Sequence, residues 1–79
     1  MVRLINIRQI DEKSCDVEVV GAFGQNVMRF DLEIHDILNR WVLLDLGALV
    51  QDAFSDQDAV HREFLISGMP AEQQVQLFD

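Results

Sequence analysis

Two histidines and their acidic neighbours are the side chains of this sequence whose types fit a metal site. His35 directly precedes Asp36, and His61 stands two positions before Glu63. Adjacent helical positions point in different directions, so His35 and Asp36 do not converge. A structural or catalytic zinc site needs three or four ligands, and no Cys-x-x-Cys pair accompanies the histidines. We therefore predict two exposed, titrating histidines and no metal site.

Cys15 is the only cysteine, which excludes an internal disulfide. A nucleophilic thiol needs a neighbouring base and a lowered pKa. Cys15 instead falls on the apolar side of an alternating segment, so we predict a buried, inert thiol. Small secreted domains usually carry several cysteines, so the single one favours the reducing cytoplasm.

Two further segments resemble ligand loops only in part. If Asp56 opened a calcium loop, the sixth position would be His61 instead of glycine and the twelfth Ser67 instead of glutamate. The segment Gly21–Gly24 lacks the Gly-Lys-Ser/Thr ending of a phosphate loop and fits a turn. The sequence thus predicts no catalytic residue, no cofactor and no enzyme activity.

The charge balance limits the partners. The 79 residues carry a net charge of −8, from 14 acidic and 6 basic side chains. Such a surface disfavours direct contact with nucleic acid or anionic membranes and favours solubility or a basic protein partner. The longest nearly apolar run, residues 41–50, is shorter than the roughly 18 residues of a membrane span. Arginines interrupt the first apolar stretch, so no signal peptide is expected.

The first half of the chain has the pattern of strands. Residues 2–10 are rich in β-branched side chains, and residues 15–20 and 27–32 alternate between apolar and polar. Short polar or glycine-containing breaks separate the three segments. They predict a three-stranded antiparallel β-meander. Val17 and Val19 should face the core opposite Ile5 and Ile7, leaving on the other face Leu4, Ile10, Val20 and Val27.

The second half has helical periodicity. A first helix begins near residues 31–33 and has the apolar stripe Ile34, Ile37, Leu38 and Trp41. Continuing that stripe would bury Asp45, so we expect a break, with Asp45 as N-cap of a second helix. The stripe of this second helix is Leu46, Leu49, Val50, Ala53 and Phe54. Ser55 and Asp58 resemble a capping box at the start of the next element.

Residues 57–67 fit either a helix or a fourth strand. We favour the helix, because Gly68 is typical of a helix C-terminus and Pro70 follows closely. Pro70 then opens a last short helix as its first residue. We expect this helix to be held to the core by Val75 and Phe78. The predicted fold class is a single α+β domain over residues 1–79, with three to four short helices on one face of the sheet.

Apolar residues make up 49% of a chain too short to bury all of them. We therefore predict a non-enzymatic interaction protein that forms a homo-oligomer, most simply a dimer. The expected interface residues are Leu4, Ile10, Val20, Phe23, Val42 and Leu43. In size and character the chain resembles small proteins of bacterial mobile elements. Two alternatives stay open: an acidic mimic of DNA that inhibits a nucleic-acid-binding protein, and a small-molecule binder with an apolar pocket between sheet and helices.

Overall fold

The sheet is an antiparallel meander, as predicted. The computed structural model describes residues 2–78, and the surroundings of side chains for residues 2–75. Its strands are β1 (Arg3–Asp11), β2 (Ser14–Gly21) and β3 (Gly24–Phe30), in the order β1-β2-β3. The third strand begins at residue 24, not 27, because Gly21 pairs with Gly24 and leaves a turn of only two residues.

β1 carries two irregularities that the alternation did not predict. The pairing with β2 shifts between Leu4 and Asn6 and again between Gln9 and Asp11. The extra residue at the first shift is Ile5, which is 45% exposed. As a result Leu4 pairs with Val19 and packs against the core. The expected positions of Leu4 and Ile5 were therefore wrong, because a β-bulge reverses the facing of every residue before it.

Four helices follow and cover one face of the sheet. They are α1 (Ile34–Asp45), α2 (Val50–Ala53), α3 (Ala59–Ser67) and α4 (Ala71–Phe78). The core between the two layers contains fully buried aromatic rings, with Phe30 edge-on to Phe54 and tilted against Phe64. The other residues of this core are Val2, Cys15, Val17, Val19, Ile37, Trp41, Leu44, Val50 and Leu65.

The α1–α2 junction differs from the prediction. α1 continues through Asp45, which is exposed, and Leu44 takes the buried position one turn after Trp41. No break is needed, because the buried row drifts by one residue along a helix of 3.6 residues per turn. α2 is a single turn whose N-cap is Leu49, so Asp45 is not a cap.

α3 confirms the helix predicted over residues 57–67. Its N-cap is Asp58, whose carboxylate accepts from the backbone N–H of His61, so Ser55 is not the cap. At its end Gly68 adopts φ 82°, the left-handed conformation that favours glycine. Gly21 lies close to this end, and a Cβ on it would stand 2.8 Å from the carbonyl oxygen of Ser67.

α4 is held by a polar residue, not by Val75. The Val75 side chain is 55% exposed, whereas Gln74 is 3% exposed. The Gln74 amide donates to the carbonyls of Val60 and Met69, both at 2.9 Å. Pro70 precedes the helix and accepts from Gln73 and Gln74. The expected anchor Phe78 lies outside the described side chains.

Candidate functional site

Cys15 has a structural position. Its side chain is fully buried, and Sγ donates to the carbonyl oxygen of Leu32 at 2.8 Å. Burial, followed by the charges of Asp16 and Glu33, raises the pKa of the thiol. A raised pKa disfavours the thiolate, which is the nucleophilic form. This geometry agrees with the predicted inert thiol.

His61 joins α3 to the edge of the sheet. Its Nδ1 lies 2.6 Å from Asp58 Oδ1, and its Nε2 lies 2.9 Å from the carbonyl oxygen of Arg29 on β3. The ring is edge-on to Phe30, with centroids 4.8 Å apart. Its side chain is 26% exposed, so the expectation of a freely exposed histidine was wrong for His61. Hydrogen bonds from His61 hold the pKa of Asp58 below its usual value.

His35 lies away from this cluster. It is exposed, as predicted, and borders a shallow depression beside Glu33 and Ile34. Among residues 2–78, no three side chains of the types His, Cys, Asp or Glu are grouped closely enough to hold a metal ion.

Arg40 neutralises two carboxylates of the helical layer. It pairs with Asp36 at 2.8 Å, one turn earlier on α1, and with Asp56 at 2.8 Å between Nη2 and Oδ2. It also donates to the carbonyl of Ala53 at 3.2 Å, and its guanidinium lies 5.3 Å from the Phe54 ring centroid. The hydrogen bonds from Arg40 lower the pKa of Asp56 to about 2. These acidic groups therefore stabilise the fold, which reduces the number free to imitate a phosphate array.

The outer face of the sheet is polar and largely self-paired. Asp16 on β2 lies 2.9 Å from Arg29 on β3 and 3.7 Å from Arg8 on β1. Glu18 accepts from Gln25 at 2.6 Å. An open depression of about 240 Å³ on this face is lined by Asn6, Arg8, Asp16, Glu18 and Val27. Because the carboxylates of Asp16 and Glu18 already accept hydrogen bonds from neighbouring strands, they are less available to a ligand.

A separate apolar surface consists of five of the eleven exposed large apolar side chains described, on α1, on the segment between α1 and α2, and on α3. We call this surface the apolar corner; its members, with their exposed fractions, are Val42 (55%), Leu43 (49%), Leu46 (79%), Leu49 (57%) and Ile66 (51%). The chain folds back here, because the N–H of Ala48 donates to the carbonyl of Leu43 at 2.9 Å. Leu49 and Ile66 line one depression of about 310 Å³. Leu46 follows Val42 by one helical turn, because its backbone N–H donates to the Val42 carbonyl at 3.0 Å.

The predicted interface residues divide among three places. Val42 and Leu43 belong to the apolar corner, and Phe23 is 43% exposed in the β2–β3 turn. Ile10, at the second bulge, is 36% exposed, and Val20 is partly buried. Leu4 packs on the core. The structure therefore does not bring the six together.

Three members of the apolar corner were missed. The sequence pattern places Leu46 and Leu49 in a core stripe, and Ile66 is not among the predicted interface residues. The signal in the sequence was the run from Trp41 to Leu46, which has five apolar residues in six positions. One helical face cannot bury so many consecutive side chains.

Net charge is concentrated in the half of the chain that carries the helices. Residues 31–79 hold ten of the fourteen acidic residues and two of the six basic ones, which accounts for the whole net charge of −8. Next to the apolar corner, Asp45 and Asp52 are exposed. Any partner of the corner therefore meets a negative rim.

Comparison with protein-family models, curated proteins and solved structures found nothing similar to this chain. None of the helices described is long and apolar enough to cross a bilayer. The function is therefore inferred from the arrangement of the chain's own residues.

Proposed function

We propose that this chain is a non-enzymatic interaction protein that acts by associating with itself, most simply as a dimer. The observation that carries the proposal is the exposure of large apolar side chains. Among the described residues, eleven of them are exposed by 36% or more. A monomer in water leaves this surface unburied, and association removes it.

Loose packing does not account for this exposure. The radius of gyration is 11.8 Å, against about 12 Å expected for a compact chain of this length. The solvent-accessible area is 4998 Å², close to the roughly 4900 Å² of a folded monomer of this mass. The chain is as compact as a typical folded monomer of its size, so these apolar side chains are exposed on the folded protein.

The positions of the reactive groups support the non-enzymatic part of the proposal. The thiol of Cys15 is buried, and His61 and Arg40 hold the helices in place. Of the depressions described, one lies on the outer sheet face, one beside Leu49 and Ile66, and one between the end of β1 and the start of α1. The single free, buried cysteine is also consistent with a cytoplasmic protein.

One observation favours the acidic inhibitor as a second candidate. The net charge of −8 lies in the helical half, next to exposed Asp45 and Asp52. A basic partner would be attracted to this surface, and its binding would weaken as salt increases. Self-association has the opposite salt dependence, because salt screens the repulsion between two acidic copies.

Sedimentation equilibrium over a range of low to high micromolar concentrations tests the proposal. We expect an average mass that rises from that of one chain towards that of two. A mass of one chain at every concentration and at both low and high salt would reject self-association. A basic partner that binds in a salt-sensitive manner would then support the second candidate.

A further inference from the structure

We infer that the apolar corner is the surface through which two copies associate, in a two-fold arrangement that places Leu46 of each copy in the depression of the other. This inference rests on the proposed self-association and adds its location and partner. In a two-fold interface the same patch occurs on both sides, so the patch must be complementary to itself. A projecting side chain beside a recess of its own chemistry meets that requirement.

The corner has both elements. Leu46 is 79% exposed, the highest value among the large apolar side chains described. A depression of about 310 Å³ begins two residues after Leu46 and is lined by Ala48, Leu49, Val50, Gln51 and Ile66. Four of its five lining residues are apolar, and none is charged. An isobutyl side chain from a second copy therefore meets aliphatic walls.

The corner provides part of the area that a dimer interface needs. Its five side chains, exposed by 49% to 79%, present roughly 500 Å². A standard protein interface buries about 800 Å² on each partner, and its rim is polar. The corner supplies the apolar centre of such an interface, and Gln51 with the acidic Asp45 and Asp52 supplies the rim.

The other surfaces of the protein fit a second copy less well. On the outer sheet face Val27 is exposed among polar residues, and Asp16 is paired with Arg29 and Arg8. The edge of β1 is interrupted by bulges, which hinder pairing with another strand. The edge of β3 is covered by α3, through the contact of His61 with the Arg29 carbonyl and of Asn26 with the Gly68 carbonyl. Association is thus directed to side chains of the helical layer.

Charge distinguishes a second copy from a basic partner at the same corner. Two copies meeting there bring together two halves that each carry the net charge of −8. Their repulsion weakens with added salt, so the dimer tightens. A basic protein at the corner would dissociate under the same change.

Leu46→Gln and Leu49→Gln test the location, with Val27→Gln as the matched control. All three side chains are more than half exposed, so glutamine is tolerated in the monomer, and Val27 lies on the outer sheet face. Each substitution at the corner occurs twice in a dimer. We expect Leu46→Gln to raise the dissociation constant by about 100-fold or more, and Val27→Gln to leave it within about threefold.

The outcomes separate the two proposals. If Val27→Gln alone raises the dissociation constant and both leucine variants remain dimeric, the proposed location is wrong and self-association still holds. A wild-type chain that is monomeric at every concentration and salt would overturn both. Circular dichroism and thermal unfolding establish whether each variant is folded. If Leu46→Gln is not folded, Leu49→Gln tests the location in its place.

Discussion

Replacing Asp56 with asparagine tests the ion pair that ties α1 to the segment after α2. Asp56 accepts from Nη2 of Arg40 at 2.8 Å, and Arg40 is only 16% exposed. Asparagine keeps the shape of the side chain and removes its charge. The partner substitution Arg40→Met removes the cation while retaining much of the aliphatic stem that packs near Phe54.

The size of the effect follows from the pKa of Asp56. Arg40 lowers it from 3.8 to about 2. In a fully buried pair this shift corresponds to about 2.5 kcal/mol, since one pKa unit is about 1.4 kcal/mol. Asp56 is 54% exposed, so solvent screening reduces the contribution to about 1 kcal/mol. Because the pKa is lowered in the folded state, this contribution is present above pH 3.8 and is lost as the pH falls towards 2.

Urea unfolding of the two single variants and the double variant at pH 7 measures the coupling. We expect about 1 kcal/mol, or a melting temperature lower by about 4–8 °C in Asp56→Asn. Protein concentration is held fixed, because association would add to stability. Asp52→Asn is the control, since Asp52 forms no ion pair within the described part of the chain. Equal losses from Asp56→Asn with and without Arg40 would refute the pairing.

Three further changes address the packing of the helices. Gly21→Ala places a Cβ at 2.8 Å from the Ser67 carbonyl oxygen, so we expect a loss of about 1–3 kcal/mol in the free energy of unfolding; an unchanged urea midpoint would contradict that contact. Gln74→Leu removes the donor from two backbone carbonyls and should cost about 1–3 kcal/mol, seen as a lower melting temperature; a more stable variant would show that the buried amide is not needed. Asp58→Ala removes the α3 cap and the partner of His61, costing about 1–2 kcal/mol at pH 7. Because the pKa of Asp58 is lowered, this difference should shrink as the pH falls below 3.8, and a pH-independent difference would contradict the assignment.

The sheet was largely predictable from local patterns. Cys15, Val17 and Val19 alternate with charged residues, and this period of two fixed which side of β2 is buried. β1 was less predictable, because Leu4 and Ile5 are both apolar and adjacent. Either one satisfies the core, and only the pairing with Val19 selects Leu4.

The helix junctions depended on tertiary contacts. The seven residues from Leu43 to Leu49 contain five leucines or alanines, so the apolar stripe has no unique register. Burial of Leu44 resolves it and leaves Leu46 and Leu49 exposed. Gln74 was missed for a related reason. A glutamine is buried only where other elements present backbone carbonyls to it, and the sequence does not record that arrangement.

The apolar corner was predicted only in part. Val42 and Leu43 follow from an excess of apolar residues on α1, whereas Ile66 lies beside Leu49 through the packing of α3 against α2. A surface built from separate helices has no local signature in the sequence. The composition predicted that some apolar side chains would be exposed, and the fold determines which ones.

Sedimentation equilibrium of the unmodified chain at low and high salt examines the proposed self-association most directly. Association through an apolar surface between two copies of net charge −8 predicts a dimer whose dissociation constant falls as salt increases. A single-chain mass under every condition, or a dimer that salt dissociates, would contradict it.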